Sequence, residues 1–163
     1  MRAPPDNSGT TETVRKSHFV FQDVARLRTQ LFDTLIGPHG LTTSQASVLS
    51  ILFSEDGLTQ SELAARLKIG TVSLGGLVDR LEARGLVERR ADPADRRANR
   101  VFLTADAYPL GRIMKRCGRT LDEIANAGLS EQAVAEMFAA LERVRDNLID
   151  ALNARKAGAA TDE

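Results

Sequence analysis

Leu77-Val78-Asp79-Arg80-Leu81-Glu82-Ala83-Arg84-Gly85-Leu86-Val87-Glu88-Arg89-Arg90 changes its period part-way through. Counted from Leu74, the apolar residues first fall at i, i+3, i+4 and i+7 (Leu74, Leu77, Val78, Leu81), which is one face of a helix. Gly85 supplies left-handed backbone, the usual helix stop, and Leu86–Arg90 then reads as a strand. Upstream, Thr59-Gln60-Ser61-Glu62 has the spacing of a capping box and opens a short helix with Leu63, Ala64 and Leu67 inward. Lys68-Ile69-Gly70 separates the two helices, a helix-turn-helix spacing. Downstream, the polar, turn-prone Ala91–Asn99 leads into a second strand, Arg100-Val101-Phe102-Leu103.

Working outward, Val20, Val24, Leu27, Leu31 and Leu35 line one face of a first helix, ended by Gly37-Pro38-His39-Gly40. Thr42 and Gln45 have capping-box spacing before a second helix with Val48, Leu49, Leu52 and Phe53 on its apolar face. Thr104 is expected to cap a fifth helix along Leu110, Met114, Cys117, Leu121 and Ile124, with Pro109 about five residues in and bending its start. Ser130 is expected to cap a last helix whose Val134, Met137, Leu141, Val144, Leu148 and Ala151 follow a heptad seam. Such a seam favours a partner helix, and with the first helix it points to an all-helical dimer interface outside the hairpin.

The chain of 163 residues carries 22 Lys+Arg and 22 Asp+Glu, a formal net charge of zero. That balance is divided along the sequence. Residues 66–119 hold 13 basic and 6 acidic side chains, whereas residues 120–163 hold 4 and 9. A cationic middle suits an anionic partner, and 18 of the 22 basic residues are arginine, whose planar fork matches phosphates and base edges. A single cysteine excludes an internal disulfide framework and suits a reducing compartment. No stretch approaches a membrane span, and the N-terminus lacks the apolar core of a secretory signal, so a cytoplasmic location is expected.

The run from Leu77 to Arg90, continued through Asp92-Pro93-Ala94-Asp95-Arg96-Arg97 to Val101-Phe102-Leu103-Thr104, resembles the MarR family of transcriptional regulators. Leu41-Thr42-Thr43-Ser44-Gln45 and Leu58-Thr59-Gln60-Ser61-Glu62-Leu63-Ala64 add to the likeness, which covers residues 15 to 153. The resemblance implies a mainly α fold with a small β-hairpin wing. Residues 42–104 would form the winged helix-turn-helix, and residues 14–36 and 105–153 the dimerisation helices. These lie within a domain over 14–155, with disordered tails at 1–13 and 156–163. It further implies a homodimer binding pseudo-palindromic double-stranded DNA, in many relatives released by a small aromatic or phenolic ligand. The chain departs from the family at Gly75 and Gly76, which stand where most relatives carry longer polar side chains in the recognition helix.

On a helical wheel the outer face of the recognition helix centres on Val72, Gly76, Asp79 and Ala83. Thr71, Val72, Ser73 and Gly76 are therefore the expected groove-facing residues, with Arg80 one turn on and placed for a phosphate. Gly75 and Gly76 offer no side chain to a base, and three readings stay open for them: close approach to the duplex, close approach of a neighbouring helix, or neither. Thr59 and Ser61 open the preceding helix, whose free N–H groups favour phosphate oxygens. Arg89, Arg90 and Arg100 flank the hairpin. The resemblance makes Arg97 the minor-groove residue, Asp95 its organiser, and Arg96 a further contact. A solvated turn with incidental ion pairs is the plain alternative.

Family likeness also implies an effector pocket formed by the first, second and fifth helices, with Phe19, Arg26, His39, Phe53, Arg112 and Arg116 as candidates. No cofactor or metal is expected, because His18, His39 and Cys117 make a poor zinc set. Cys117 sits on an apolar face, where cysteine packs as a small hydrophobe. No nucleophile–base pair or phosphate-binding glycine loop suggests an enzyme. A winged-helix protein-interaction module without DNA affinity is the competing function.

Overall fold

A computed structural model describes the backbone of residues 8–93 and 98–159, and the side chains of 19–93 and 98–155. Six α-helices, a 3-10 turn (Gly37–His39) between the first two, and three short strands follow one another in the described chain. They are α1 (Ser8–Ile36), α2 (Thr43–Ser54), β1 (Leu58–Thr59), α3 (Gln60–Leu67), α4 (Thr71–Ala83), β2 (Val87–Ala91), β3 (Asn99–Leu103), α5 (Ala107–Ala125) and α6 (Glu131–Ala159). The chain divides into two compact units, Met1–Asp122 and Glu123–Glu163.

In the first unit, α2, α3 and α4 enclose a core of Val48, Leu49, Leu52, Leu63, Leu74, Val78 and Leu81, all nearly inaccessible to solvent. Ile36, Leu41, Leu58, Leu86, Val87 and Val101 complete it. Each of these side chains contributes roughly 1.5–3 kcal/mol by leaving water, and the helical and strand periods read above place them there. Both capping boxes form. Thr42 and Gln45 satisfy the start of α2, and Thr59 and Glu62 that of α3. The turn between α3 and α4 takes its left-handed residue at Lys68 (φ 55°), while Gly70 is extended and N-caps α4. At the end of α4, the N–H of Leu86 donates to Leu81 and that of Gly85 to Glu82, a Schellman closure with Gly85 at φ 67°.

The sheet has three antiparallel strands in the order β1-β3-β2, not the two-stranded hairpin expected. Leu58 and Thr59 pair with Val101 and Arg100, because the residue before an N-cap is already extended and lies beside the β3 edge. The β2–β3 register sets Arg90 opposite Arg100 and Arg89 opposite Val101.

Three further expectations are corrected. Thr104 does not cap α5 with its side chain. Its hydroxyl donates to the Gly85 carbonyl, and the helix begins three residues later at Ala107. Pro109 is consequently the third helical residue, in the first turn, where a missing N–H costs no helical bond. Residues 8–13 and 156–159, expected in disordered tails, are helical, since α1 begins at Ser8 and α6 runs to Ala159. No proline follows Pro5 to break the former, and the alanine-rich end of the latter favours helix.

Cys117 is buried in α5, its thiol 3.5 Å from the Leu35 carbonyl, in keeping with a packing role. The second unit consists of the end of α5, a turn with Gly128 at φ 84°, and α6, whose start is capped by Ser130. Along α6 most of the heptad seam is exposed, with Val144 and Leu148 43% and 60% accessible, while Val134 and Leu141 are half-buried. On α1, Phe19, Val20, Val24 and Leu27 are likewise exposed. No described helix is long and apolar enough to cross a membrane.

The Thr59–Glu62 box carries an acid dependence. Hydrogen bonds from the Thr59 N–H (2.7 Å) and hydroxyl (2.8 Å) hold the Glu62 pKa below its ordinary value. A depressed carboxylate gives its full stabilisation above its unfolded pKa and loses it as pH falls through the lower, folded value. Glu62→Gln, which keeps an acceptor, is expected to flatten the acid side of the stability profile. Urea midpoints between about pH 3 and pH 6 check this.

Candidate nucleic-acid interface

The outer face of α4 is bare. Val72 is 89% accessible, and Thr71, Ser73 and Arg80 are exposed. A Cβ on Gly75 would meet only the Gln60 amide at 4.0 Å, and one on Gly76 only the Arg80 guanidinium at 3.9 Å. The glycines therefore make no room for a neighbouring helix, which removes one of the three readings left open by the sequence. At the start of α3, Ser61 is exposed, but the Thr59 hydroxyl is held by Glu62 and the Glu62 carboxylate occupies the helix terminus. This weakens the anion site expected there.

The basic residues of the hairpin strands divide by partner. Arg89 turns inward. Its guanidinium pairs with Asp79 at 2.6 Å and with Glu82, its Nε donates to Gln60 at 3.2 Å, and its N–H donates to Glu82 at 2.9 Å. Desolvation pulls its pKa down, and the hydrogen bonds it donates to Asp79 and Glu82 more than reverse that, leaving it raised. Arg89 thus locks β2 to α3 and α4, whereas the sequence suggested a DNA contact. The i to i+7 and i+10 spacings to Glu82 and Asp79 bridge two elements, so no helical periodicity displays them.

Arg90 pairs with Glu88 and stacks over Phe102, 4.4 Å from the ring centroid. Arg100 bridges the buried Asp92 (2.7 Å) and the Gly57 carbonyl (2.9 Å). The Asp92 N–H donates to the Ala98 carbonyl at 3.0 Å, which closes the root of the wing. Asp95, Arg96 and Arg97 lie outside the described residues. Among the described residues Arg80 has no ion-pair partner, so it is the cation of this face most available to a phosphate.

A second feature is a cavity of about 620 Å³ bounded by α1, α2 and α5. Phe32, Phe53, Tyr108 and Met114 give it apolar walls, and Arg112 and Lys115 stand at its rim. Phe53 meets Tyr108 edge-on, with centroids 6.0 Å apart at 63°. Gly111 permits this packing, since a Cβ there would lie 2.8 Å from the Phe53 ring. Of the six effector candidates, Phe53 and Arg112 line the cavity. Phe19 is 62% accessible on α1, Arg26 pairs with Asp23 at 2.9 Å, and neither His39 nor Arg116 faces the space. Phe19, Arg26 and Arg116 sit on α1 and α5 but away from the cavity, and His39 lies in the turn between α1 and α2. Sequence reasoning missed Ser47, Ser50 and Ser54, whose i, i+3, i+7 spacing marks a small polar face of α2.

Comparison with known proteins bears on both features. Residues 39–98 match the model of the MarR family. The chain is 30% identical over 128 residues to the HTH-type transcriptional repressor NicR of Pseudomonas putida, covering 78% of this chain and 80% of NicR. It belongs to the MarR family. It is also 32% identical over 117 residues to the HTH-type transcriptional regulator TtmR of Methylorubrum extorquens, covering 72% of this chain and 59% of TtmR. A MarR transcriptional regulator from Methanosarcina mazei superposes with a TM-score of 0.75 at 28% identity, covering 82% of this chain and 98% of that one. The chain is a winged-helix, DNA-binding transcriptional regulator of MarR type. Its relatives are regulators and not enzymes.

Proposed function

We propose that this MarR-type chain is a homodimeric repressor that binds a pseudo-palindromic operator and is released by a small ligand with an aromatic or phenolic body. The observation that carries the DNA-binding part is the face of α4. Its side chains are exposed and its glycines unopposed, while Arg89 holds the adjoining wing strand in fixed relation to it. Thr71, Val72, Ser73 and Gly76 face the major groove, and Arg80 and Ser61 meet phosphates. Arg97 enters the minor groove, with Asp95 and Arg96 beside it. Repression is supported by the description of NicR as a repressor.

Dimerisation is supported by the apolar outer face of α1 and the exposed seam of α6, too extensive to leave in water. The ligand is assigned to the cavity bounded by α1, α2 and α5, where the aromatic walls suit a ring and Arg112 suits an acidic group. A cytoplasmic location fits a DNA-binding role.

Selection of bound duplexes from a random pool tests this reading. A palindromic consensus with half-sites about one helical turn apart supports it, and failure to enrich any duplex at low salt refutes it. On the selected operator, Arg97→Ala is expected to cost about 1–3 kcal/mol, and Arg80→Ala to lower the salt slope by about one. Gel-shift titrations at several salt concentrations measure both.

A further inference from the structure

Between Ser73 and Arg80 no side chain of α4 can donate a hydrogen bond. A donor is supplied there by the neighbouring helix. Gln60, the first residue of α3, is half-buried, and its amide nitrogen lies 4.0 Å from where a Gly75 Cβ would stand. The other end of the amide is fixed. Arg89 Nε donates to Gln60 Oε1 at 3.2 Å, and Arg89 is itself anchored on Asp79 (2.6 Å) and Glu82. A guanidinium N–H only donates, so the atom it meets is the amide oxygen, and the –NH2 is left turned toward Gly75. No side-chain nitrogen or oxygen of the described residues is buried without a partner, and this –NH2 donates to none of them, so its hydrogens meet water.

This changes what the amide can read. A free glutamine meets adenine with both ends, accepting from N6 and donating to N7. With its oxygen spent on Arg89, Gln60 can only donate. In the major groove guanine offers two adjacent acceptors, N7 and O6, whereas cytosine offers only the N4–H2 donor. Resting on the reading of α4 as the groove-facing helix, we propose that Gln60 reads a base edge across Gly75 as a fixed donor, selecting guanine and rejecting cytosine at one position of each half-site. The bare backbone at Gly75 leaves the opening through which an α3 side chain reaches the groove, and the Asp79–Arg89–Glu82 clamp sets the orientation of that side chain.

Selection of duplexes from a random pool by the full chain and by its Gln60→Glu and Gln60→Met variants tests this. Glutamate keeps an oxygen for Arg89 but presents an acceptor in place of the donor, and carboxylates accept from cytosine N4. One position of each half-site is therefore expected to change from guanine to cytosine in Gln60→Glu, with the rest of the consensus intact. Gln60→Met is expected to lose discrimination at that position without gaining cytosine. On the wild-type operator both variants should bind about three- to tenfold more weakly per half-site. A side chain that merely braces Arg89 has no base preference, so a consensus unchanged in both variants overturns the proposal. Equal weakening on every duplex also overturns it, because that marks a phosphate contact. In both cases a wild-type consensus leaves the reading of α4 standing, whereas a wild type that enriches no duplex overturns the two together.

Discussion

Arg89→Ala is expected to weaken operator binding by roughly tenfold or more while leaving the salt slope unchanged. A guanidinium on a phosphate releases counterions, so its removal lowers the slope by about one. Arg89 spends its donors inside the protein, on Asp79, Glu82 and Gln60, and has little left for a backbone. Its loss acts through geometry, because β2 is no longer clamped to the recognition helix. Asp79 and Glu82 stay accessible to water when their partner is lost, so stability should fall by only about 0.5–1.5 kcal/mol. The sharper comparison is Asp79→Asn. If Asp79 only repels DNA, removing its charge strengthens operator binding. If it holds Arg89, binding weakens, again with little change in slope beyond the lost charge. The two accounts differ in sign, which gel-shift titration resolves.

Much of this arrangement is legible in the sequence because it is local. The capping boxes at Thr42 and Thr59, the Gly85 stop, and the change of period between Leu81 and Val87 are all encoded within a few residues of where they act. The clamp is not. Arg89 finds Gln60 at a separation of 29 residues and Arg100 finds Gly57 at 43, and an arginine-rich strand looks the same whether its charges face DNA or their own acids. The cavity shows the same limit. The sequence indicates the helices that enclose it but not their rotation about their axes, so of the six candidates only Phe53 and Arg112 line this cavity, and Phe19, Arg26, His39 and Arg116 lie off it. Thr104 was misread for a related reason. It stands three residues ahead of the helix, too far to be its N-cap, and its hydroxyl instead satisfies the Gly85 carbonyl left over from α4.

One substitution, glycine to alanine, is expected to act with opposite sign at two places in the fold. Gly57 has φ 74°, and its Cβ would lie 2.6 Å from the Phe102 ring. Its N–H donates to Val101 and its carbonyl accepts from Arg100, so it ties the turn after α2 to the wing. Left-handed backbone and overpacking together put the cost of Gly57→Ala at about 2–4 kcal/mol. A double-mutant cycle with Phe102→Leu should recover part of it, because the leucine relieves the steric share and leaves the backbone share. Gly75 and Gly76 sit in the middle of α4 with ordinary helical backbone and no close neighbour. Alanine at each should therefore raise stability by about 0.5–1 kcal/mol, a rise of roughly 2–4 °C in Tm for each full kcal/mol in a chain of this size. That stability is unused, which requires a reason outside the isolated chain. If the duplex lies directly on the bare helix, the stabilised Gly75→Ala/Gly76→Ala variant binds its operator more weakly, since each added methyl takes space the DNA occupies. Higher Tm with lower affinity supports close approach of α4 to DNA, higher Tm with unchanged affinity removes these glycines from the interface, and a lower Tm contradicts the open face of α4 itself.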